Sequence, residues 1–585
     1  MFAQRSGPLW RARSAFAVPW CILLLPPIMG SSMKIALLHA CFLALLSSPL
    51  AANDWYVATA QSGGSDGEKS PGNKEAPFAT LKHAIDRANP GDTILLRAGE
   101  HLGPFNLQKP SLTLCAEKDE HPVLTLSKGS DDTSVLMQLF APDCTIRGLE
   151  FKGGEHCLMI SGEGVLLQDC RMHDSGRITV KLTATAHRCT LSRCEIFNSG
   201  LRDASNGIGV AVFGCVGAVL SDCHIHDVAS DGVLLHPGSD SCTIERCLIE
   251  NVRQNGVGLA YAGAEATNGA CLNRITVHNC ILREIQGAAV SMFAGSRTRI
   301  AHNTIVNAGI RYHPALWVEP VRHGSQITAN SDLELVGNLI ILPVSAHEGA
   351  IGIGQGAVSG QARIDHNHYH CFDGSFTFTS ADAKLVKVPF DDWQRDSGFD
   401  QHSSSGDPKI DPNFHLNKGS PCIDAAPPLD WLADDYDGGM RERKKPDIGA
   451  DEFNAGAILF VPPREGVVGT GGGTGAVRRN MPEKERGPWL EKVCDVIDVK
   501  AKADRQKISK AALEAWKKCE DEDKRMAGVY PKLKEDKDLL AIARGEYKKK
   551  LKEIWDNCDA DLTKKKLLTA EQMQLWQVAT RDLRE

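Results

Sequence analysis

Nine stretches between residues 144 and 370 repeat one order of apolar and polar positions. They begin at Cys144, Val165, Cys189, Ala218, Cys242, Ile275, Thr298, Leu333 and Ala362. The third position is always aliphatic: Ile146, Leu167, Leu191, Leu220, Ile244, Val277, Ile300, Leu335 and Ile364. The eighth is always apolar: Phe151, Met172, Ile196, Ile225, Ile249, Leu282, Ile305, Ile340 and Tyr369. The sixth runs Leu149, then Cys170, Cys194, Cys223, Cys247 and Cys280, then Asn303, Asn338 and Asn367. A small thiol thus gives way to an amide at one structural position. Starts lie 21 to 35 residues apart, and the variation falls between copies. A unit this short cannot bury its own apolar face, so stacked neighbours must supply the core.

The copies are rich in Val, Ile and Thr in short alternating runs bounded by Gly, Asn and Asp, which predicts strands. A second strand follows each copy, as in Asn206-Gly-Ile-Gly-Val-Ala-Val212, Asp231-Gly-Val-Leu-Leu-His236, Asn255-Gly-Val-Gly-Leu-Ala-Tyr261 and Gly287-Ala-Ala-Val-Ser-Met292. Asn-Gly and Asp-Gly supply the turn into it. Parallel coils stacked about 4.8 Å apart satisfy the pattern and bring like residues into ladders. In an asparagine ladder each side-chain amide can donate to the next coil. These rows resemble the right-handed parallel β-helix superfamily of pectate-lyase-like proteins over roughly residues 54–453. The resemblance implies a mainly β solenoid. It does not select an activity, because such folds carry lyases, hydrolases, epimerases and non-catalytic adhesins.

The rest of the chain divides around that solenoid. Residues 1–52 read as a leader: Met33-Lys-Ile-Ala-Leu-Leu-His-Ala-Cys-Phe-Leu-Ala-Leu-Leu has the basic start and apolar run of a secretory signal, with translation expected from Met33. The β-helix occupies 53–455. Pro77–Ala88, with Phe78, Leu81, Ala84, Ile85 and Ala88 at helical spacing, predicts an N-terminal cap over the open solenoid end. Phe414-His-Leu416, Gly419-Ser-Pro-Cys-Ile-Asp424 and Pro446-Asp-Ile-Gly-Ala-Asp-Glu-Phe453 resemble the superfamily's closing segment. A Gly-rich linker, 456–480, leads to a Lys- and Glu-rich α-helical domain, 481–585, with Tyr547, Leu551, Ile554, Trp555 and Cys558 on one helix face. Thr569 and Gln572 form a capping box for its last helix. This tail is a candidate docking element for a protein partner.

Charge and cysteine content narrow the chemistry. The 585 residues carry a net charge of −7, which gives no basic excess for a nucleic-acid partner. No apolar run after the leader is long enough to span a bilayer. The 19 cysteines include no CxxC pair. The sixth-position cysteines, and Cys144, Cys189 and Cys242 at the first position, read as small buried hydrophobes. Asp434, Asp435 and Asp437 before Gly438-Gly439 could hold Ca²⁺, or could simply turn the chain.

Candidate chemistry sits on the outer face of the second strands. Lys181, in Ser175-Gly-Arg-Ile-Thr-Val-Lys-Leu182, is the single lysine between Lys152 and Lys384. With Ile178 and Val180 inward, Thr179 and Lys181 point out. Lys181 then heads a column of Ala211, His236, Ala260 and Met292, with His236 two coils away at about 10 Å. The small residues Gly209, Ala211, Gly258 and Ala260 predict a shallow groove edged by Arg177, Arg202, Tyr261 and Glu319. Tyr261 and Trp317 can stack on sugar rings. No paired aspartates for glycoside hydrolysis stand out in the central coils.

Ile178-Thr-Val-Lys181, followed by a coil ending Glu195-Ile-Phe-Asn198, is similar to the chondroitinase-B and alginate-lyase family. That family places its base lysine in such a strand and carries Arg-His-Gly in the next coil, where this chain has Val212-Phe-Gly214. The resemblance implies β-elimination on a uronate-containing polysaccharide. Lys181 would be the base, His236 would assist proton transfer, and Arg177 or Arg202 would neutralise the carboxylate. The alternatives are an exported, non-catalytic surface or adhesion protein and a glycoside hydrolase.

Overall fold

A computed structural model describes residues 52–127, 129, 133–261, 271–342, 349–371, 376–411, 413–453, 490, 501–529, 537–568 and 573. The expected leader before residue 52, the Gly-rich linker and the expected Thr569–Gln572 capping box lie outside them. Each coil contributes one short strand to each of three parallel sheets. The coil that begins at Cys242 gives Thr243–Glu245 to sheet 1, Leu248–Val252 to sheet 2 and Val257–Leu259 to sheet 3. Sheet 1 has 14 strands, and sheets 2 and 3 have 12 each.

The repeat register is the structural register. Leu220, Ile244, Val277 and Ile300 pair in sequence along sheet 1, and Ile225, Ile249, Leu282 and Ile305 along sheet 2. Their side chains point into a single continuous core. The sixth position lies at the corner between the two sheets. There Asn303 Nδ2 donates to Asn338 Oδ1 at 3.0 Å, and Asn338 Nδ2 to Asn367 Oδ1 at 3.1 Å. Asn367 Nδ2 ends the ladder on the buried carboxylate of Asp400 at 3.0 Å. In the lower coils the thiols reach carbonyls instead, as when Cys247 Sγ meets Leu220 O at 3.6 Å and Glu245 O at 3.3 Å. The 16 described cysteines are buried. Burial favours the protonated thiol along this row.

The turn into sheet 3 needs glycine for space. A Cβ on Gly232 would lie 2.6 Å from Gly256 O and 2.8 Å from Ile249 Cγ2. The adjacent side chains form their own ladder: Asp231 Oδ1 accepts from Asn255 N at 3.0 Å and Nδ2 at 2.9 Å, and Asn255 Oδ1 accepts from Ala288 N at 3.1 Å.

Both ends are covered. The expected N-terminal helix is Leu81–Arg87, capped by Thr80, and Phe78 instead bridges to Val57 beside the first strand. All five of its helical-spacing residues are buried. The closing segment packs on sheet 2, where Leu416, Cys422, Ala426 and Ile448 meet Val306, Leu339 and Ile341. Arg441, buried, fastens it by donating to Asn279 Oδ1, Gly449 O and Ala450 O at 2.8, 2.8 and 2.9 Å.

The tail forms helices Lys502–Val529 and Lys537–Lys564. Ile508, Trp516, Cys519, Trp555, Cys558 and Leu562 are in their shared core. The side chains of Tyr547 and Leu551 lie outside the described residues. No described helix is long and apolar enough to cross a membrane.

Candidate functional site

The strand Val180–Leu182 turns Val180 and Leu182 into the core and leaves Lys181 on the outer face of sheet 3. The register corrects the expected column. Lys181 is level with Ala211, then Leu234, Gly258, Ser291 and Trp317. His236 is level with Phe213, two residues further along the strand. Met292, paired with Leu259, faces the core. Regular pairing starts only at Val180, so the alternation does not extend back to Thr179 and Ile178. Thr179 is buried with its hydroxyl 2.9 Å from Ser175 Oγ, and Ile178 lies on the outside with Ile208, Ala211 and Leu234. That apolar cluster fills the expected groove: Ala211 is fully covered, and Leu234 lies over Gly258.

What remains is an aromatic strip headed by a cation. Lys181 Nζ sits 4.8 Å from the centre of the Phe213 ring, within cation–π range. Phe213 stacks on His236 with centroids 3.8 Å apart, and Tyr261 meets His236 edge-on at 5.7 Å. Burial, and to a lesser degree the Lys181 charge, lower the His236 pKa to about 4. Its Nε2 is buried without a hydrogen-bond partner. Among the described residues Lys181 forms no ion pair with a carboxylate. His156, behind it, is also held neutral by burial, with Nδ1 2.9 Å from Ile178 O.

The two arginines are near but already engaged. Arg177 pairs with Glu155 at 3.1 Å and Asp203 at 3.3 Å, and Arg202 reaches the other Glu155 oxygen at 3.5 Å. Trp317 and Glu319 belong to a different neighbourhood, five coils or roughly 24 Å from Lys181. The Trp317 ring is stacked by His313 at 3.7 Å, and its Nε1 donates to Glu319 Oε1 at 3.2 Å. Burial raises the Glu319 pKa. Glu319 therefore edges no common groove with Arg177 and Arg202.

The three aspartates considered for calcium have separate partners. Asp434 pairs with Arg246 at 2.6 Å, Asp435 accepts from Gly439 N at 2.6 Å, and Asp437 faces His415 at 3.5 Å.

A second cluster, on the outer face of sheet 2, escaped the sequence reading. Positions seven and nine of the repeat flank the inward eighth residue. They stack Glu150, Arg171, Glu195 and His224 in one column, and His173, Phe197, His226, Glu250 and Arg283 in the next. Glu195 accepts from Arg171 Nε at 2.7 Å and lies 3.2 Å from His226 Nε2. His226 Nδ1 is 2.8 Å from Asp227, and His224 Nε2 is 2.8 Å from Glu250. Phe197 is sandwiched between the His173 and His226 rings at 4.6 and 4.9 Å. Burial alone would neutralise His226, but Asp227 and Glu195 outweigh it and raise its pKa to about 9. Burial likewise opposes ionisation of Glu250, yet His224 and Arg283 hold it at about 2. The polar alternation at positions seven and nine was the available signal.

The parallel sheets and their ladders define a β-helix protein. Residues 139–305 match the family model described as "Right handed beta helix region", which makes the solenoid a right-handed parallel β-helix. No curated protein matches the chain. Among solved structures it is similar to pectate lyase Pel9A, at 16% identity, 70% of this chain, 98% of that chain and a TM-score of 0.46. It is also similar to a rhamnogalacturonan lyase, at 16% identity, 63% and 96% coverage and a TM-score of 0.43. An alginate lyase from Paenibacillus sp. shares 17% identity over 56% of this chain and 98% of that chain, with a TM-score of 0.36. These likenesses are distant, and the assignment of the fold rests on the sheet topology and the matched region.

Proposed function

We propose that this is an exported carbohydrate-binding β-helix protein whose sheet 3 face takes an anionic polysaccharide, with β-elimination on a uronate polymer as its enzymatic form. The observation that carries this reading is the strip Lys181–Phe213–His236–Tyr261, in which an ammonium with no carboxylate partner among the described residues heads aromatic rings on successive coils. The exposed Tyr261 ring offers a face on which a sugar can stack, and a carboxylate-bearing unit would meet the ammonium. Because Glu155 already engages Arg177 and Arg202, neutralising the uronate carboxylate falls to Lys181. Nδ1 of the neutral His236 ring, Nε2 being buried, then takes the C5 proton while the C4–O bond breaks, C4=C5 forms, and water protonates the leaving oxygen. The helical tail would dock the protein to a partner.

The test incubates the full-length protein with pectate, alginate, glycosaminoglycans and neutral glycans, with and without Ca²⁺. Ultraviolet absorbance of unsaturated uronates that disappears in Lys181→Ala and His236→Gln supports the lyase. Binding that is lost in Lys181→Ala, with neither absorbance nor new reducing ends, supports the non-catalytic binder, which the engaged arginines favour. No binding and no product across the panel refutes both.

A further inference from the structure

We propose that Glu195, His224 and His226 form a site for a divalent transition metal of the zinc class on the outer face of sheet 2. One ligand atom from each residue lies within 4.8 Å of the others. Glu195 and His224 are register partners on adjacent strands, and His226 follows two residues later on the same face. The site therefore stands on paired backbone rather than on a loop. Zinc takes imidazole nitrogen and carboxylate oxygen at about 2.0–2.2 Å, so ligand atoms around one ion lie within about 4.2 Å of one another. Glu195 Oε1 and His226 Nε2 already meet that limit at 3.2 Å.

The surroundings match what metal ligands require. Each imidazole has one nitrogen held by a carboxylate outside the set: His226 Nδ1 by Asp227 and His224 Nε2 by Glu250, both at 2.8 Å. Such partners fix the ring orientation and leave the second nitrogen for the metal. The other Glu195 oxygen is held by Arg171 at 2.7 Å, which favours single-oxygen coordination. Two imidazoles and one carboxylate suit zinc and its first-row neighbours, whereas calcium and magnesium select oxygen-only shells. Glu195 and His226 are buried, while His224 keeps 22% of its side chain accessible and supplies the edge through which the ion and a water ligand enter.

The test strips the full-length protein with a chelator, adds Zn²⁺ or Co²⁺, and measures content by mass spectrometry and affinity by calorimetry. One Zn²⁺ per chain is expected, with a Co²⁺ spectrum lacking a thiolate charge-transfer band, which excludes the cysteine rows. Glu195→Gln and His226→Gln should abolish binding, and Asp227→Asn should weaken it about 10–100-fold. His402→Gln, in a separate His/Asp group with Asp365 and His366, should leave it unchanged. Should His226→Gln fail to fold, His224→Gln at the accessible edge decides. No stoichiometric metal in the wild type, or full retention in Glu195→Gln and His224→Gln, overturns the proposal.

Discussion

Replacing Asn338 by alanine isolates what the amide ladder contributes. Asn338 is fully buried. Its Oδ1 accepts from Asn303 N at 3.1 Å and Asn303 Nδ2 at 3.0 Å, while its Nδ2 donates to Ile300 O at 2.9 Å and Asn367 Oδ1 at 3.1 Å. Alanine leaves both Asn303 donors without this acceptor. Asn367 Oδ1 keeps the backbone N–H of residue 338 at 2.9 Å. A buried polar group without a partner costs about 1–3 kcal/mol, so two lost donor bonds predict about 4 kcal/mol. Cys223→Ala, at the equivalent position below, removes only a weak thiol donor and a small volume, for about 1–2 kcal/mol. Denaturant unfolding followed by circular dichroism compares the two variants, and hydrogen exchange at the Asn303 amide reads the local effect. Exchange there should accelerate in Asn338→Ala and stay unchanged in Cys223→Ala. Equal losses of stability, with Asn303 still protected, would refute the claim that the ladder satisfies otherwise orphaned donors.

Two further predictions concern buried charge. Burial raises the Asp231 pKa from 3.8 to about 6, against the hydrogen bonds from Asn255. The folded state then holds a proton that the unfolded state has lost, so this group's stability contribution is full below about pH 4 and declines as pH rises to about 6. The roughly two-unit shift corresponds to about 3 kcal/mol. Asp231→Asn, whose Oδ1 still accepts from Asn255, should match the wild type at pH 4 and melt higher at pH 7.5; identical melting differences at both pH values would contradict this. Arg441→Ala removes a buried guanidinium and strands Asn279 Oδ1 and Glu452, for about 3–5 kcal/mol. Proteolysis within residues 413–453 should accelerate while the Asn303 amide remains protected, which would show that the closing segment opens apart from the coils.

The inward ladders were legible because one residue per coil must repeat to fill a stacked core. Ile244 and Ile249 have no other place to go, and the sixth position must hold a side chain that satisfies a corner. Outward positions carry no such constraint. Lys181 could be identified as outward, but its neighbours depended on where regular pairing begins, and a shift of one residue moved Ile178 outside and Met292 inside. The Phe213 bridge between Lys181 and His236 follows from register alone. Reading only the second strands for chemistry also hid the Glu195–His226 cluster, whose residues flank an inward position that had already been assigned.

The same two flanking positions show why that cluster lies where it does. In six successive copies they are largely charged or histidine, from Glu150 and Lys152 to Ile281 and Arg283. In the next two they become Thr304 with Val306, and Leu339 with Ile341. The closing segment folds back over those two coils, burying Val306, Leu339 and Ile341 against Leu416 and Ile448. A face covered by protein must be apolar, whereas ionic side chains taken from water need paired partners. The change from Arg283 to Val306 therefore marks the edge of the closing segment, and Arg283 stands at that edge with its guanidinium 5.3 Å from the Phe414 ring and its other contact on Glu250. The sheet 2 cluster is the part of one continuous face that the segment leaves free.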